Sequence, residues 1–255
     1  MNIDIATLFP EMLENYLSQS VVGRARERNI FTVACHNIRD YTLDKHRRVD
    51  DTPYSEQKGM LMQCDPIYNC FTAVTEGRPK PHVIYMSPQG KTLTQQRAAE
   101  LSRLDSIFIL CGHYEGVDER IIEEIVDEEI SVGDYVLTGG ELPALILVDC
   151  IVRMLEGTLS RPGCYEDESH YSGLLEYPQY TRPEIWHGRT VPPVLLSGHH
   201  ANILRWRHEQ ALLNTLKKRP ELLERADLSE EDLAIIHKAV KIDEVEGAQC
   251  SSEQP

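Results

Sequence analysis

The sequence predicts an α/β protein with a mainly parallel sheet, followed by a small α-helical domain. In the first half, short apolar runs alternate with segments of helical periodicity, which is typical of parallel sheets. A long apolar segment then follows a pair of glycines, and the pattern beyond residue 203 is helical only. With 255 residues, of which 41% are hydrophobic, the chain is long enough to bury a core in one large domain plus a smaller one.

The strands and helices of the first half follow in order along the chain. The predicted strands cover residues 3–9, 31–38, 82–86 and 106–111. Pro10 opens a helix that runs toward the basic cluster at residues 24–28, since proline is favoured in a first helical turn. Further helices are predicted over residues 94–103 and 119–129, and the third strand is expected to stop at Ser87-Pro88-Gln89-Gly90.

The second half begins with a helix over residues 142–155 that is apolar on nearly every side and is therefore expected to be buried. After Gly157 the pattern breaks into glycine, proline, serine and acidic residues, which indicates a linker or mobile loop. We predict a domain over residues 1–158, a linker over residues 159–172 and a mostly helical domain over residues 173–255.

Composition limits the functional classes without choosing one. A formal net charge of −15 argues against a nucleic-acid binder, but basic residues cluster at four places and leave room for a local phosphate-binding surface. No apolar run is long enough to cross a bilayer and no signal segment is visible, so we expect a cytoplasmic protein. The seven cysteines form no CxxC pair, and the adjacent His199 and His200 lack further ligand spacing, so no metal site is predicted.

Three glycine-containing loops follow predicted strands: MSPQG at residues 86–90, CGHYEGVDER at 111–120 and SVGDYVLTGGELPA at 131–144. Ligands of open α/β sheets bind outside the carboxyl ends of the strands, where glycine lets the backbone approach them. None of the loops has the GxGxxG or GxxxxGK[ST] pattern, which disfavours a dinucleotide or nucleoside triphosphate site. Each loop alone fits a tight turn, but the three together predict a small-molecule pocket.

The order of these motifs identifies a resemblance. The loops 111–120 and 131–144, followed by GLLEYPQYTRPEIW at residues 173–186 and VPPVLLSGHHANI with RWR at residues 191–207, resemble the bacterial tRNA (guanine-N1)-methyltransferases. The segments DKHRRVDDTPY at 44–54 and GMLM at 59–62 are similar as well. The resemblance extends to about Leu223 and implies the SPOUT fold, in which the three loops form a deep trefoil knot. It also implies a homodimer with each active site completed by the second subunit.

The resemblance further implies a binding site for S-adenosylmethionine inside the knot. The residues that it assigns to the cofactor are Tyr85, Met86, Ser87, Pro88, Gly112, Tyr114, Glu115, Gly116, Val132, Gly133, Asp134, Tyr135, Val136, Leu137, Gly139, Gly140 and Pro143.

In this family the methyl group goes to N1 of the guanine just 3′ of the tRNA anticodon. N1 is protonated at neutral pH, so a base must remove its proton while a donor stabilises the charge on O6. Arg153 fits the donor, because a guanidinium stays charged and holds several donors in a plane. The sequence alone favours an i,i+4 ion pair with Asp149, and both roles are compatible.

The resemblance places the base five residues before Gly173, at Glu168, with Asp167 beside it as the alternative. An ordinary solvated acidic loop is the other interpretation of these residues. The family's glycine-rich run before Gly59 is replaced here by Ser55-Glu56-Gln57-Lys58, which leaves that loop's contacts open. The helical domain is the natural candidate for holding the tRNA anticodon stem, through its basic residues Arg205, Arg207, Lys217, Lys218 and Arg219.

Three other functions compete with this one. A related knotted enzyme acting on a ribose 2′-hydroxyl would lack the GLLEYPQYTRP segment, and a catalytically inactive RNA-binding module would not need Arg153 and Glu168. A nicotinamide-dependent α/β enzyme is disfavoured because the dinucleotide fingerprint is absent.

Overall fold

A five-stranded sheet whose neighbouring strands all run parallel forms the centre of the first part of the chain. The computed structural model describes residues 1–54, 59–160, 165 and 168–250, with side chains through residue 241. The chain divides into two compact units, Met1–Pro162 and Gly163–Pro255.

The strands of the first unit are β1 (Asn2–Thr7), β2 (Thr32–Asn37), β3 (Asp50–Asp51), β4 (Leu61–Met62), β5 (His82–Thr92), β6 (Ser106–Cys111) and β7 (Glu128–Ser131). Its helices are α1 (Pro10–Leu17), α2 (Ser20–Glu27), α3 (Cys64–Thr75), α4 (Gln95–Leu101), α5 (Glu119–Ile125) and α6 (Glu141–Val152). The order across the sheet is β2-β1-β6-β5-β7, and β3 pairs with β4 separately. The predicted α/β class and parallel sheet are therefore confirmed.

The sheet is buried on both faces, as a parallel sheet requires. Ile107 and Ile109 of β6 belong to a cluster with α1, α2 and α6. Phe108 and Leu110 of the same strand point to the opposite cluster, which contains residues of α3 and α5. This alternation explains why the central strands have continuous apolar sequences.

The predicted helix beginning at Pro10 is wrong in its length, because the structure has two helices there. α1 ends at Leu17 and α2 begins at Ser20, whose φ of 55° lies in the left-handed region. A non-glycine residue with this φ does not continue a right-handed helix.

The predicted helix over residues 119–129 is wrong in its last four residues. α5 ends at Ile125, and Val126 is already extended, with a ψ of 128°. The Asp127 carboxylate then accepts the Val83 N–H at 2.8 Å, and β7 pairs with β5. Contacts with a distant strand thus override the local helical pattern.

The third predicted strand, over residues 82–86, does not stop where the sequence indicates. β5 continues to Thr92, and its pairing with β7 shifts register between Met86 and Lys91. The Ser87-Pro88-Gln89-Gly90 segment is therefore a bulge within a strand rather than a loop after one.

The second unit contains the short antiparallel strands β8 (Ile185–Trp186) and β9 (Arg189–Thr190) and the helices α7 (Pro193–Leu196), α8 (His200–Lys218) and α9 (Glu230–Cys250). The predicted helical character is confirmed, whereas the β8–β9 pair was not predicted. His208 of α8 lies 2.6 Å from the Asp232 carboxylate of α9 and joins the two helices. The predicted linker over residues 159–172 stays a prediction, and part of it lies outside the described residues.

Candidate cofactor cavity and catalytic residues

A cavity of about 220 Å³ lies at the carboxyl ends of β6 and β7, beside the bulge of β5. All three glycine-containing loops contribute to its wall. This is the edge of the sheet at which open α/β proteins bind ligands.

All the residues that the resemblance assigns to the cofactor line this cavity except Asp134. The structure therefore brings together residues from three separate sequence segments. Six further lining residues belong to the three predicted loops without having been assigned to the cofactor, namely Gln89, His113, Val117, Glu119, Ser131 and Thr138. Ile122, Glu129 and Ile130 lie outside these loops and were missed. Glu129 was missed because it was assigned to a helix rather than to β7.

Two glycines of the cavity wall have no room for a side chain. A Cβ added to Gly140 would lie 2.7 Å from Cys111 Cα and 2.9 Å from Gly112 N. A Cβ on Gly112 would lie 2.7 Å from the Tyr85 hydroxyl oxygen. The Gly140 N–H donates to the Gly112 carbonyl at 2.8 Å. The second and third loops thus approach each other backbone to backbone, which only glycine permits.

The cavity is lined by acidic groups beside a buried phenol. Burial raises the pKa of Tyr85 to about 12, and the nearby charges of Glu129 and Glu119 add to this effect. Tyr85 therefore remains a neutral hydroxyl at physiological pH, available as a donor. Glu115 also lines the cavity. Carboxylates around a cavity produce a negative potential, which favours a ligand that carries positive charge.

Behind the cavity wall lies a buried carboxylate, Glu141, the first residue of α6. The Thr7 hydroxyl donates to Glu141 Oε1 at 2.7 Å. On the other side, His113 Nε2 lies 3.3 Å from Glu141 Oε2.

Arg153, the predicted donor to O6, follows α6 directly and is half-buried. It does not line the cavity. Its N–H donates to the Asp149 carbonyl at 3.1 Å, so helical backbone geometry continues through the residue. The Asp149 carboxylate accepts the Tyr16 hydroxyl of α1 at 2.5 Å, and this hydrogen bond raises the pKa of Tyr16 to about 12.

Glu168, the predicted base, belongs to the second unit and is half-buried. Its N–H donates to the Tyr165 carbonyl at 3.2 Å, and its own carbonyl accepts the Tyr171 N–H at 3.3 Å. The alternative base, Asp167, and the segment Ser55–Lys58 lie outside the described residues. Arg153 and Glu168 thus come from different units, and their catalytic roles stay predictions.

The family model described as tRNA (Guanine-1)-methyltransferase TrmD matches residues 1–225. The chain belongs to this family. It is therefore a methyltransferase, as the sequence resemblance predicted.

Curated relatives agree with the family match. A tRNA (guanine-N(1)-)-methyltransferase of Ruminiclostridium cellulolyticum is 57% identical over 223 residues, covering 87% of this chain and 96% of the relative. Proteins of the same name from Alkaliphilus oremlandii and Staphylococcus aureus strain JH9 are 49% and 50% identical, covering 91% and 93% of this chain. The match extends over 96% of the Alkaliphilus oremlandii protein and 97% of the Staphylococcus aureus protein.

The part of the chain matched by the tRNA (guanine-1)-methyltransferase family includes the cavity, Arg153 and Glu168 and ends before α9 begins at Glu230. All five predicted tRNA-binding cations lie on or beside α8, and four of them, Arg205, Lys217, Lys218 and Arg219, are exposed. Arg207 instead packs its guanidinium over the Tyr177 ring, 4.8 Å from the ring centre. Within the described residues, no helix is long and apolar enough to cross a membrane.

Proposed function

We propose that the chain transfers the methyl group of S-adenosylmethionine to N1 of the guanine immediately 3′ of the anticodon in tRNA. The observation that carries this proposal is the cavity in which three separate loops bring together the residues expected to hold the cofactor. The printed names of the relatives support the substrate class. A tRNA substrate also supports the expected cytoplasmic location.

The cavity suits S-adenosylmethionine on structural grounds. Gly112 and Gly140 let the second and third loops pack backbone to backbone, and both glycines line the cavity that would hold the adenine. The carboxylates of Glu119 and Glu129 complement a cationic ligand. When bound, S-adenosylmethionine supplies an electrophilic methyl group on its sulfonium, and the residues of the chain have to orient the acceptor in line with it.

In this proposal two side chains of the protein activate the guanine for methyl transfer. The Glu168 carboxylate takes the proton from guanine N1, so that the N1 lone pair becomes nucleophilic. The Arg153 guanidinium donates to guanine O6 and stabilises the negative charge that develops there. Asp167 stands as the alternative base one residue earlier.

We propose that the protein acts as a homodimer whose active sites lie at the subunit interface. In the first unit α1 and α6 leave an apolar face uncovered, on which Met12, Leu142 and Ile146 are 45%, 49% and 43% exposed. Val136 and Leu137, from the third cavity loop, are exposed as well. An apolar face of this kind on a buried helix is typical of an interface between subunits.

The proposed fold of the first unit is the deep trefoil knot of the SPOUT enzymes. The close backbone approach of Gly140 to Cys111 and Gly112 supports such a passage of one loop against another. Knots are rare in proteins, so family membership carries this part of the proposal.

The second unit is proposed to hold the tRNA. Exposed cations on α8 would contact phosphates, which supply affinity without reading sequence. Trp186 of β8 is 60% exposed. Its ring is therefore available to stack on an unpaired base.

The proposal is tested by measuring methyl transfer from labelled S-adenosylmethionine to a tRNA transcript, with Arg153→Ala and Glu168→Gln beside the wild type. We expect transfer by the wild type and a loss of about 10²-fold or more in each variant, because each removes a group that acts in the transition state. Binding of S-adenosylmethionine is measured in parallel as the control for folding. A fully active Glu168→Gln would contradict its role as base and favour Asp167, whereas wild-type protein that binds the cofactor without transferring the methyl would contradict the substrate.

A further inference from the structure

The Glu141 residue is only 2% exposed, so its carboxylate is buried. Removing a carboxylate from water costs free energy unless other groups compensate for it. Glu141 lies at the N-terminus of the twelve-residue helix α6, whose free N–H groups favour a negative charge. The Thr7 hydroxyl donates to Oε1 at 2.7 Å and itself accepts the Phe9 N–H at 2.9 Å. One oxygen of the carboxylate is thus held by the end of β1.

The other carboxylate oxygen faces His113, whose Nε2 lies 3.3 Å away. The His113 ring also packs against the Phe9 ring, with the ring centres 4.9 Å apart. The imidazole is therefore held between an aromatic ring and a buried carboxylate, and its position is defined from two sides.

This contact joins the second and third of the three loops that form the cavity wall. His113 forms an isolated bridge with Gly139, and a Cβ on Gly139 would lie 2.4 Å from His113 Nε2 and 2.5 Å from Glu141 Oε2. The His113 carbonyl accepts the Gly116 N–H at 3.1 Å, so the residue also shapes the turn of the second loop. Gly139 of the third loop therefore lies between the His113 imidazole and the Glu141 carboxylate.

We infer that Glu141 and His113 are positioning residues that hold the second and third loops at the separation that the cofactor cavity requires. The inference rests on the proposed function. It adds two residues that set the affinity for the cofactor but take no part in methyl transfer. Because the pair acts before the cofactor binds, its loss lowers affinity for S-adenosylmethionine more than it lowers the rate of the bound complex.

The first test compares His113→Gln with His113→Arg. Glutamine removes the imidazole ring that packs between Phe9 and the Glu141 carboxylate, so we expect the Kd for S-adenosylmethionine to rise about tenfold, equivalent to about 1.4 kcal/mol, and KM to change by more than kcat. Arginine offers a charged donor to the same carboxylate, so we expect it to restore most of the affinity. A purely structural role would lower Tm and kcat together and would not be rescued by arginine.

The matched control is His36→Gln. His36 Nε2 lies 2.8 Å from the buried Asp4 carboxylate, on strands at the other edge of the sheet and away from the cavity. The His36→Gln substitution removes a histidine–carboxylate contact of the same kind, and we expect no change in the Kd for S-adenosylmethionine.

The second test needs no cofactor. Hydrogen exchange of the Gly140 amide, which donates to the Gly112 carbonyl, is expected to accelerate in His113→Gln and in Glu141→Gln but not in His36→Gln. Unchanged exchange together with an unchanged Kd in His113→Gln would overturn the inference. Wild-type protein that binds no S-adenosylmethionine would overturn the proposed function, while faster exchange in the variants would still support the contact between the loops.

Discussion

At the scale of single residues, the cavity depends on glycines, whose lack of a side chain lets two loops approach each other. Gly140 precedes α6 with a φ of −81°, which any residue can adopt, so its requirement for glycine is steric. We expect Gly140→Ala to lower the free energy of unfolding by about 1–3 kcal/mol and to abolish binding of S-adenosylmethionine, because the new methyl would meet backbone atoms of Cys111 and Gly112. Thermal unfolding and calorimetric binding measure the two effects.

Gly198→Ala is the control for this substitution. Gly198 has a φ of 70° but no atom within 4 Å of an added Cβ, so alanine there costs only the left-handed backbone, about 1 kcal/mol. Cofactor binding is expected to be unchanged in Gly198→Ala. Equal binding by both alanine variants would show that the close approach of the two loops is not required.

At the scale of elements, the Glu128 carboxylate links the edge strand β7 to Arg97 of α4 and His82 of β5. Burial alone would raise the pKa of Glu128, but hydrogen bonds from Arg97 and His82 outweigh burial and lower the pKa below its ordinary value of 4.5. A carboxyl whose pKa is lower in the folded state stabilises the protein above its unfolded-state pKa. That stability is lost as the pH falls through the folded-state pKa.

We therefore expect Glu128→Gln to lower Tm by about 2–4 °C near neutral pH. The fall of Tm between about pH 6 and about pH 3 should be shallower in the variant than in the wild type, because the titrating group is gone. Glu100→Gln removes a more exposed carboxylate that also pairs with Arg97, and it should change both quantities less. Parallel Tm curves for wild type and Glu128→Gln would contradict the role of this carboxylate.

The strands β6 and β7 show which parts of the fold can be predicted from the sequence and which cannot. Apolar runs such as that of β6 predicted a buried parallel strand correctly, because both faces of that strand are covered by helices. β7 was missed because it is short and its two glutamates continue the pattern of α5, so only its pairing with β5 distinguishes it.

The candidate site was predictable to a similar extent. All but one of the residues that the resemblance assigns to the cofactor line one cavity, and their contacts with the cofactor stay predictions. The contact between Thr7 and Glu141 joins residues 134 positions apart, so no local pattern reveals it. The same limit applies to His113, whose partner lies in the next loop along the chain.

At the scale of the whole molecule, the proposed homodimer makes activity depend on the exposed apolar face of α1 and α6. We expect Ile146→Glu to prevent dimerisation, because it places a charge in the middle of the apolar face of α1 and α6. Sedimentation should then show a monomer, and methyl transfer should fall by about 10²-fold or more, since each active site is proposed to need both subunits.

Leu43→Glu is the control for a charge at an exposed leucine, because Leu43 lies outside this face and is almost completely exposed. It should leave both the dimer and the activity unchanged. A dimeric, active Ile146→Glu would contradict the proposed interface.

The most direct test of the central claim is the position of the methyl group in the product. Wild-type protein, S-adenosylmethionine and a tRNA transcript with two guanines at the anticodon boundary are incubated, and the product is digested and analysed by mass spectrometry. We expect 1-methylguanine immediately 3′ of the anticodon and no transfer when that guanine is replaced by adenine. A methyl group on a ribose, on another base, or retained after the replacement would contradict it.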